Sequence, residues 1–210
     1  MEPFPRLYLV SPARIRAGLL VDAIPELVSA GVDIVQLREK EAEAGDVMRA
    51  AARLLAACRQ AGVPLIINDR PDVALAVGAD GVHLGQNDLS AGIARRILGP
   101  DVIVGRSTHA PEEIDAELGS PDALDYIAVG PVNETPTKPG RPGTGLDLVR
   151  HAATRSSLPW FVTGGMNAET LPDAMTAGAR RIVVVRAITE AADPVGAAAT
   201  LRGLLDDQPV

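Results

Sequence analysis

Short apolar runs rich in Val, Ile and Leu recur along the chain, separated by longer amphipathic stretches. One junction repeats. Ala30-Gly31-Val32-Asp33 leads into Ile34-Val35-Gln36-Leu37, and Ala61-Gly62-Val63-Pro64 into Leu65-Ile66-Ile67. Val77-Gly78-Ala79-Asp80 leads into Gly81-Val82-His83-Leu84, and Ala177-Gly178-Ala179-Arg180 into Ile182-Val183-Val184-Val185. A glycine after a helical pattern can take the left-handed conformation that ends a helix. The short β-branched run after it suits a buried parallel strand. Filling the gaps predicts strands at 7–10, 33–38, 64–67, 81–84, 102–106, 125–129, 160–163 and 181–185. Helical patterns fall between them, for example Ala42–Arg59 and Pro111–Leu118. Strict alternation implies a parallel α/β sheet. No break in composition marks a linker, so residues 1–210 read as one domain. Eight units in this length favour a closed (β/α)8 TIM barrel over an open doubly wound sheet.

Composition narrows the function classes. Hydrophobic residues make up 47% of 210, enough for a full core. Aromatics are only 2%, which argues against platforms that stack nucleic-acid bases. The net charge of −7 would repel phosphate backbones, so no nucleic-acid partner is expected. Small anionic substrates fit if positive charge is focused locally. The lone cysteine, Cys58, lies in a helical pattern and reads as a reduced packing residue. The start, Met-Glu-Pro-Phe-Pro, lacks the basic and apolar regions of a signal peptide. No apolar stretch approaches the roughly 18 residues of a membrane span. A cytoplasmic protein is expected.

Barrels and open sheets alike place their sites at the C-terminal ends of the strands. The unusual polar residues of this chain gather there. Strand two ends in Gln36-Leu37-Arg38-Glu39-Lys40. Gln36, Arg38 and Lys40 are two apart, so on an extended chain they share a face. A solvated strand end is the bland alternative, but three long donors on a buried strand are costly without an acidic ligand. The fork of Arg and the point charge of Lys suit a diphosphate. Strand three ends in Asn68-Asp69-Arg70, and strand four is followed by Gly85-Gln86-Asn87-Asp88. Asp69 and Asp88 could together hold one Mg²⁺, with water and phosphate oxygens completing the octahedron. Each also precedes a helix and could simply be an N-cap.

The later strand ends add hydroxyls and glycines. Ser107 and Thr108 can donate to a phosphate or cap a helix, and His109 is either a proton carrier or structural. The stretch from Gly130 to Gly145 is long and non-periodic and carries Thr135, Thr137 and Lys138. Its glycines resemble a dinucleotide fingerprint only superficially, because they do not follow the first strand. Lys occurs only at 40 and 138, both in anion-suited segments. Thr163-Gly164-Gly165-Met166-Asn167 is expected to lie just before a helix, where free N–H groups and close backbone approach favour an anion. With the end of strand eight, Val185-Arg186-Ala187, it would form the usual barrel phosphate site.

Assembled, these residues resemble the thiamine-phosphate synthase family from Tyr8-Leu9-Val10 to Arg186-Ala187-Ile188. The most specific pieces are Gln36 to Lys40, Asn68-Asp69-Arg70, Gly81 to Asp88 and the Thr135/Thr137/Lys138 loop. The resemblance implies a TIM-barrel transferase that joins hydroxymethylpyrimidine diphosphate to thiazole phosphate, releasing diphosphate. It implies that Gln36, Arg38, Lys40, Asn68, Ser107 and Lys138 meet the pyrimidine diphosphate. Asp69 and Asp88 would hold Mg²⁺, the implied cofactor. Thr135 and Thr137, with the backbone at Gly165, Val185 and Arg186, would take the thiazole phosphate. Arg38, Lys40, Ser107 and Lys138 would carry the catalysis.

Two positions depart from the family pattern. Asn133 stands where an aromatic residue is frequent, and Arg186 where Ser is frequent. Both put the contacts at the thiazole-phosphate corner in question. The alternatives are a thiazole tautomerase on the same barrel, which would use His109, and a non-catalytic sensor of a phosphorylated ligand. The sequence leaves the oligomeric state open.

Overall fold

In a computed structural model the chain closes into a parallel barrel, β1 to β8 in sequence order. The structure describes residues 4–12, 17–119, 123–134 and 143–207. The strands are β1 (Leu7–Pro12), β2 (Ile34–Arg38), β3 (Leu65–Asn68), β4 (Gly81–Leu84), β5 (Ile103–Thr108), β6 (Tyr126–Val129), β7 (Trp160–Val162) and β8 (Ile182–Val184). The helices are α1 (Ala17–Ser29), α2 (Ala44–Ala61), α3 (Pro71–Val77), α4 (Ala91–Leu98), α5 (Pro111–Leu118), α6 (Gly145–Arg155), α7 (Leu171–Thr176), α8 (Arg186–Thr189) and α9 (Pro194–Asp206). Closure is made by Leu7, Tyr8 and Leu9 of β1 lying opposite Ile182, Val183 and Val184 of β8. The open-sheet alternative is thereby excluded.

The junction glycines act as the sequence requires. Gly31, Gly62, Gly78 and Gly178 have φ of 109°, 77°, 69° and 111°. Gly62 and Gly78 cap α2 and α3 in the left-handed conformation, and their N–H groups close the last turn. A residue with a Cβ would strain each junction.

Two cores result. The larger lies between the strands and the helices and is built from aliphatic residues such as Leu9, Val35, Leu65, Ile67, Val82 and Val104. Burying one such side chain contributes roughly 1.5–3 kcal/mol. The smaller fills the barrel interior with Tyr8, Val10, Ile34, Ile66, Tyr126, Phe161 and Val183, with Phe4 packed below. The chain has two Tyr, two Phe and one Trp. Both Tyr and both Phe meet here with ring centroids 5.2–6.4 Å apart. The scarce aromatic residues are thus spent where a wide interior needs volume. Cys58 is buried in the outer core, and burial, with Asp80 nearby, pushes its thiol up to about 12. It is inert packing, as expected. Among the described residues no helix is long and apolar enough to cross a membrane.

Candidate active site

A cavity of about 450 Å³ opens at the C-terminal mouth of the barrel. Period-two alternation brings Gln36, Arg38 and Lys40 of β2 and its following turn to its wall. Asn68 and Asp69 enter from β3, Ser107 from β5, Gly165 from the β7 turn, and Val185 and Arg186 from the end of β8. These residues therefore share one cavity, and Asp88, which does not line it, stands beside Asp69. Thr135, Thr137 and Lys138 lie outside the described residues.

The two candidate metal carboxylates are not helix caps. Arg70 occupies the N-cap position of α3, and at α4 Ser90 accepts from the Ile93 N–H. Asp69 instead takes a left-handed backbone conformation, φ 63°. Such a position costs a non-glycine residue on the order of 1–3 kcal/mol, least for Asp and Asn. Lys40 Nζ lies 2.8 Å from Asp69 Oδ2. Asp88 Oδ2 accepts the Gly85 N–H at 2.7 Å, which closes a tight turn at the start of the β4–α4 loop. Burial raises the Asp88 carboxyl above its ordinary range, and Asp69, within hydrogen-bonding reach, raises it further. A carboxylate whose charge is disfavoured by a second carboxylate beside it suits a cation between the two. Among the described residues no group of three or more acidic, His or Cys side chains forms a closed metal cage. A hard cation that keeps water and phosphate ligands fits this donor set.

Asn68 supplies a second sign that the cavity suits an acceptor ligand. It is buried, and its Nδ2 has no hydrogen-bond partner. An unsatisfied buried donor costs about 1–3 kcal/mol, and a pocket-lining one is satisfied when an acceptor arrives.

The pocket floor holds residues to which the sequence reading gave no role. Gln36 Nε2 donates to Tyr8 Oη at 2.6 Å, and Tyr8 Oη lies 2.9 Å from Tyr126 Oη. Tyr126 Oη is 3.0 Å from His83 Nδ1, and His83 Nε2 is 2.9 Å from Ser107 Oγ. The His83 and Tyr126 rings stack at 5.6 Å. Gly105, opposite Tyr126 in the ladder, makes room for the phenol, because a Cβ there would lie 2.0 Å from Tyr126 Cζ. One signal was visible in sequence: His83 alternates with Gly81 and Gly85 on the inward face of β4.

Three expectations change in detail. The Gly164-Gly165 turn does not lie directly before a helix. Asn167 Oδ1 accepts the N–H groups of Glu169 and Thr170, both at 2.9 Å, and α7 begins only at Leu171. Asn133 Nδ2 donates to Gly164 O at 3.2 Å, so this departure from the family pattern braces the turn. His109 Nδ1 donates to the Gly130 carbonyl, and its own N–H reaches Glu113 Oε2 at 2.6 Å. His109 therefore ties β5 to the following helix and to β6, and it does not line the cavity.

A closed parallel barrel with a polar cavity at its C-terminal mouth is the architecture of a (β/α)8-barrel enzyme. The family model for thiamine monophosphate synthase matches residues 7–188. The thiamine-phosphate synthase of Acidothermus cellulolyticus is 51% identical over 92% of both chains. That of Thermus thermophilus is 50% identical over 94% of this chain and 95% of the relative. The solved thiamine phosphate pyrophosphorylase of Pyrococcus furiosus superposes with a TM-score of 0.84 at 28% identity, covering 96% of each chain. A 3-hexulose-6-phosphate synthase, TM-score 0.65 at 22% identity over 94% of this chain and 98% of the other, shares the fold. The chain belongs to the thiamine monophosphate synthase family, and its activity is that of a transferase, thiamine-phosphate synthase.

Proposed function

We propose that the chain condenses hydroxymethylpyrimidine diphosphate with thiazole phosphate in a Mg²⁺-dependent, dissociative alkyl transfer, giving thiamine phosphate and diphosphate. The observation that carries this reading is the convergence of Arg38, Lys40 and the unsatisfied Asn68 amide on one cavity, beside the Asp69/Asp88 pair. Cations, a free donor and paired carboxylates suit a metal-bound diphosphate better than a neutral ligand.

The residues would divide the work. Arg38 and Lys40, with Lys138, neutralise the charge that grows on the departing diphosphate. Lys40 at 2.8 Å from Asp69 can serve either the carboxylate or an arriving anion. Asn68 and Ser107 donate to diphosphate oxygens, and Gln36 meets the pyrimidine edge. Thr135, Thr137 and the N–H groups at Gly165, Val185 and Arg186 hold the thiazole phosphate. Asp69 and Asp88 would hold Mg²⁺, which when bound offsets charge on the leaving group. The aminopyrimidine delocalises the methylene cation, and the thiazole nitrogen captures it. No protein nucleophile is needed.

The tautomerase reading would need His109, which donates from Nδ1 to the Gly130 carbonyl and is not among the residues lining the cavity. The test mixes purified protein with both substrates and Mg²⁺ and follows both products. Equal, Mg²⁺-dependent appearance of thiamine phosphate and diphosphate is the expected outcome. Folded protein that binds both ligands but makes neither product would overturn the proposal.

A further inference from the structure

The barrel floor carries a chain of hydrogen bonds that crosses from β2 to β1, β6, β4 and β5. It joins Gln36, Tyr8, Tyr126, His83 and Ser107, all of them buried. Each phenol has a single hydrogen to give, and burial holds both phenols firmly in the protonated form. The order of donation is therefore shared along the chain. With each phenol hydrogen given within the chain, fixing it at one end fixes it at the other.

We infer that Tyr8, Tyr126 and His83 are positioning residues whose relay holds His83 with its proton on Nε2 and so turns the Ser107 hydroxyl hydrogen into the cavity. The reasoning runs from Gln36. Its Nε2 carries hydrogens only, so Tyr8 Oη accepts at 2.6 Å. Tyr8 then gives its hydrogen to Tyr126 Oη, and Tyr126 gives its own to His83 Nδ1. A neutral imidazole that accepts at Nδ1 carries its proton at Nε2, which donates to Ser107 Oγ. The Ser107 hydrogen remains for the cavity that this residue lines. Turning the Gln36 amide over would reverse every step and leave Ser107 presenting a lone pair.

Ligand chemistry selects the first direction. Diphosphate oxygens only accept, so they pair with a hydroxyl hydrogen and not with a lone pair. This step rests on the proposal that Ser107 meets the pyrimidine diphosphate. Two further contacts support a built device. Gln86 Nε2 donates to the Ser107 carbonyl at 2.7 Å and fixes that residue's backbone. Gly105 leaves the space that lets the Tyr126 phenol reach His83.

The test begins without substrate. Imidazole ¹⁵N NMR of the whole chain, with His83 assigned by its absence in His83→Asn, reads which ring nitrogen is protonated. Nε2 protonated and Nδ1 bare is expected. Protonation of Nδ1, in a neutral or a charged ring, would overturn the inference. Tyr126→Phe keeps the ring and its packing and removes only the hydroxyl. It should lose the tautomer preference and lower kcat about tenfold, the effect of roughly one hydrogen bond to a charged group, with KM little changed. In a Ser107→Ala background the same substitution should add nothing. Effects of Tyr126→Phe and Ser107→Ala that multiply would show that the tyrosine does not act through Ser107. The Nε2–H tautomer in a protein without synthase turnover would leave the relay standing and overturn the functional proposal instead.

Discussion

The two ends of the barrel use the same residue type in opposite ways. At the N-terminal end an aspartate precedes each even-numbered strand from β2 to β6 and accepts an N–H at the start of the strand before it. Asp33 Oδ2 takes Leu7 N at 3.0 Å, Asp80 Oδ2 takes Leu65 N at 2.8 Å, and Asp125 Oδ2 takes Val104 N at 2.7 Å. Arginines complete the first and third: Arg202 Nη1 reaches both Asp33 oxygens at 2.9 Å, and Arg95 Nη2 reaches Asp125 at 2.7 Å. At the mouth, Asp69 pairs with Lys40 and disfavours the charge on Asp88, and Asn68 leaves a donor unpaired. Charges that neutralise one another hold the strands in register. The disfavoured Asp88 charge and the unpaired Asn68 donor at the mouth are stabilised when a ligand comes, and in a barrel the mouth is where the site lies. The floor is not perfectly satisfied, since Arg181 Nε has no partner, although its guanidinium lies 5.8 Å from the centre of the Phe4 ring.

Substitution at each end separates stability from turnover. The largest effect is expected at the mouth. Asp69→Asn or Asp88→Asn, which keep an acceptor oxygen and tolerate the left-handed backbone at 69, should each lower kcat about 10²- to 10³-fold, the scale of losing one electrostatic stabiliser of the leaving group. Neither should lower the melting temperature, and steady-state kinetics beside a thermal melt checks both statements. At the floor the pattern inverts. Asp33→Ala removes the acceptor of Arg6 N, Leu7 N and the Arg202 fork. A loss of about 2–4 kcal/mol is expected, a fall of roughly 5–15 °C, with kcat per folded molecule unchanged. An Asp33→Ala protein that melts normally but turns over slowly would break the comparison.

A smaller effect follows from pH. Burial and the neighbouring Asp69 hold the Asp88 carboxyl above its ordinary range. The folded chain therefore binds more protons than the unfolded chain between the ordinary and the raised value. Ligand-free stability falls as pH rises through that window, and the penalty is complete above it. Asp88→Asn can keep the acceptor for Gly85 N–H while removing the charge. The variant is expected to melt above wild type at neutral pH, with the difference vanishing as pH falls below the carboxylate range. A gap that persists in acid would assign the gain to something other than charge.

Local features were legible in the sequence and long-range ones were not. The eight strands and the left-handed glycines follow from apolar periodicity and from what ends a helix, so each could be read from about ten residues. Gln36, Arg38 and Asn68 reach one cavity because inward-facing positions at strand ends are set by period two, and Lys40 and the left-handed Asp69 join them from the turns that follow. The relay was invisible for the opposite reason. Tyr8 and Tyr126 are 118 residues apart and lie on strands that are not neighbours, so only barrel closure brings them together. His83 stood inside a quoted motif, yet its partners Tyr126 and Ser107 are 43 and 24 residues away. The start of α7 at Leu171 was missed because Asn167 and Thr170 cap a turn ahead of it, and Pro172 has no N–H to continue the ladder that Leu171 N opens on the Asn167 carbonyl.

The most direct measurement is the melting temperature of wild type and Asp88→Asn with and without Mg²⁺ plus inorganic diphosphate. If the mouth holds its charges for a metal-bound diphosphate, wild type rises on addition and the variant rises much less. Equal shifts in both, or no shift in wild type, would contradict the account.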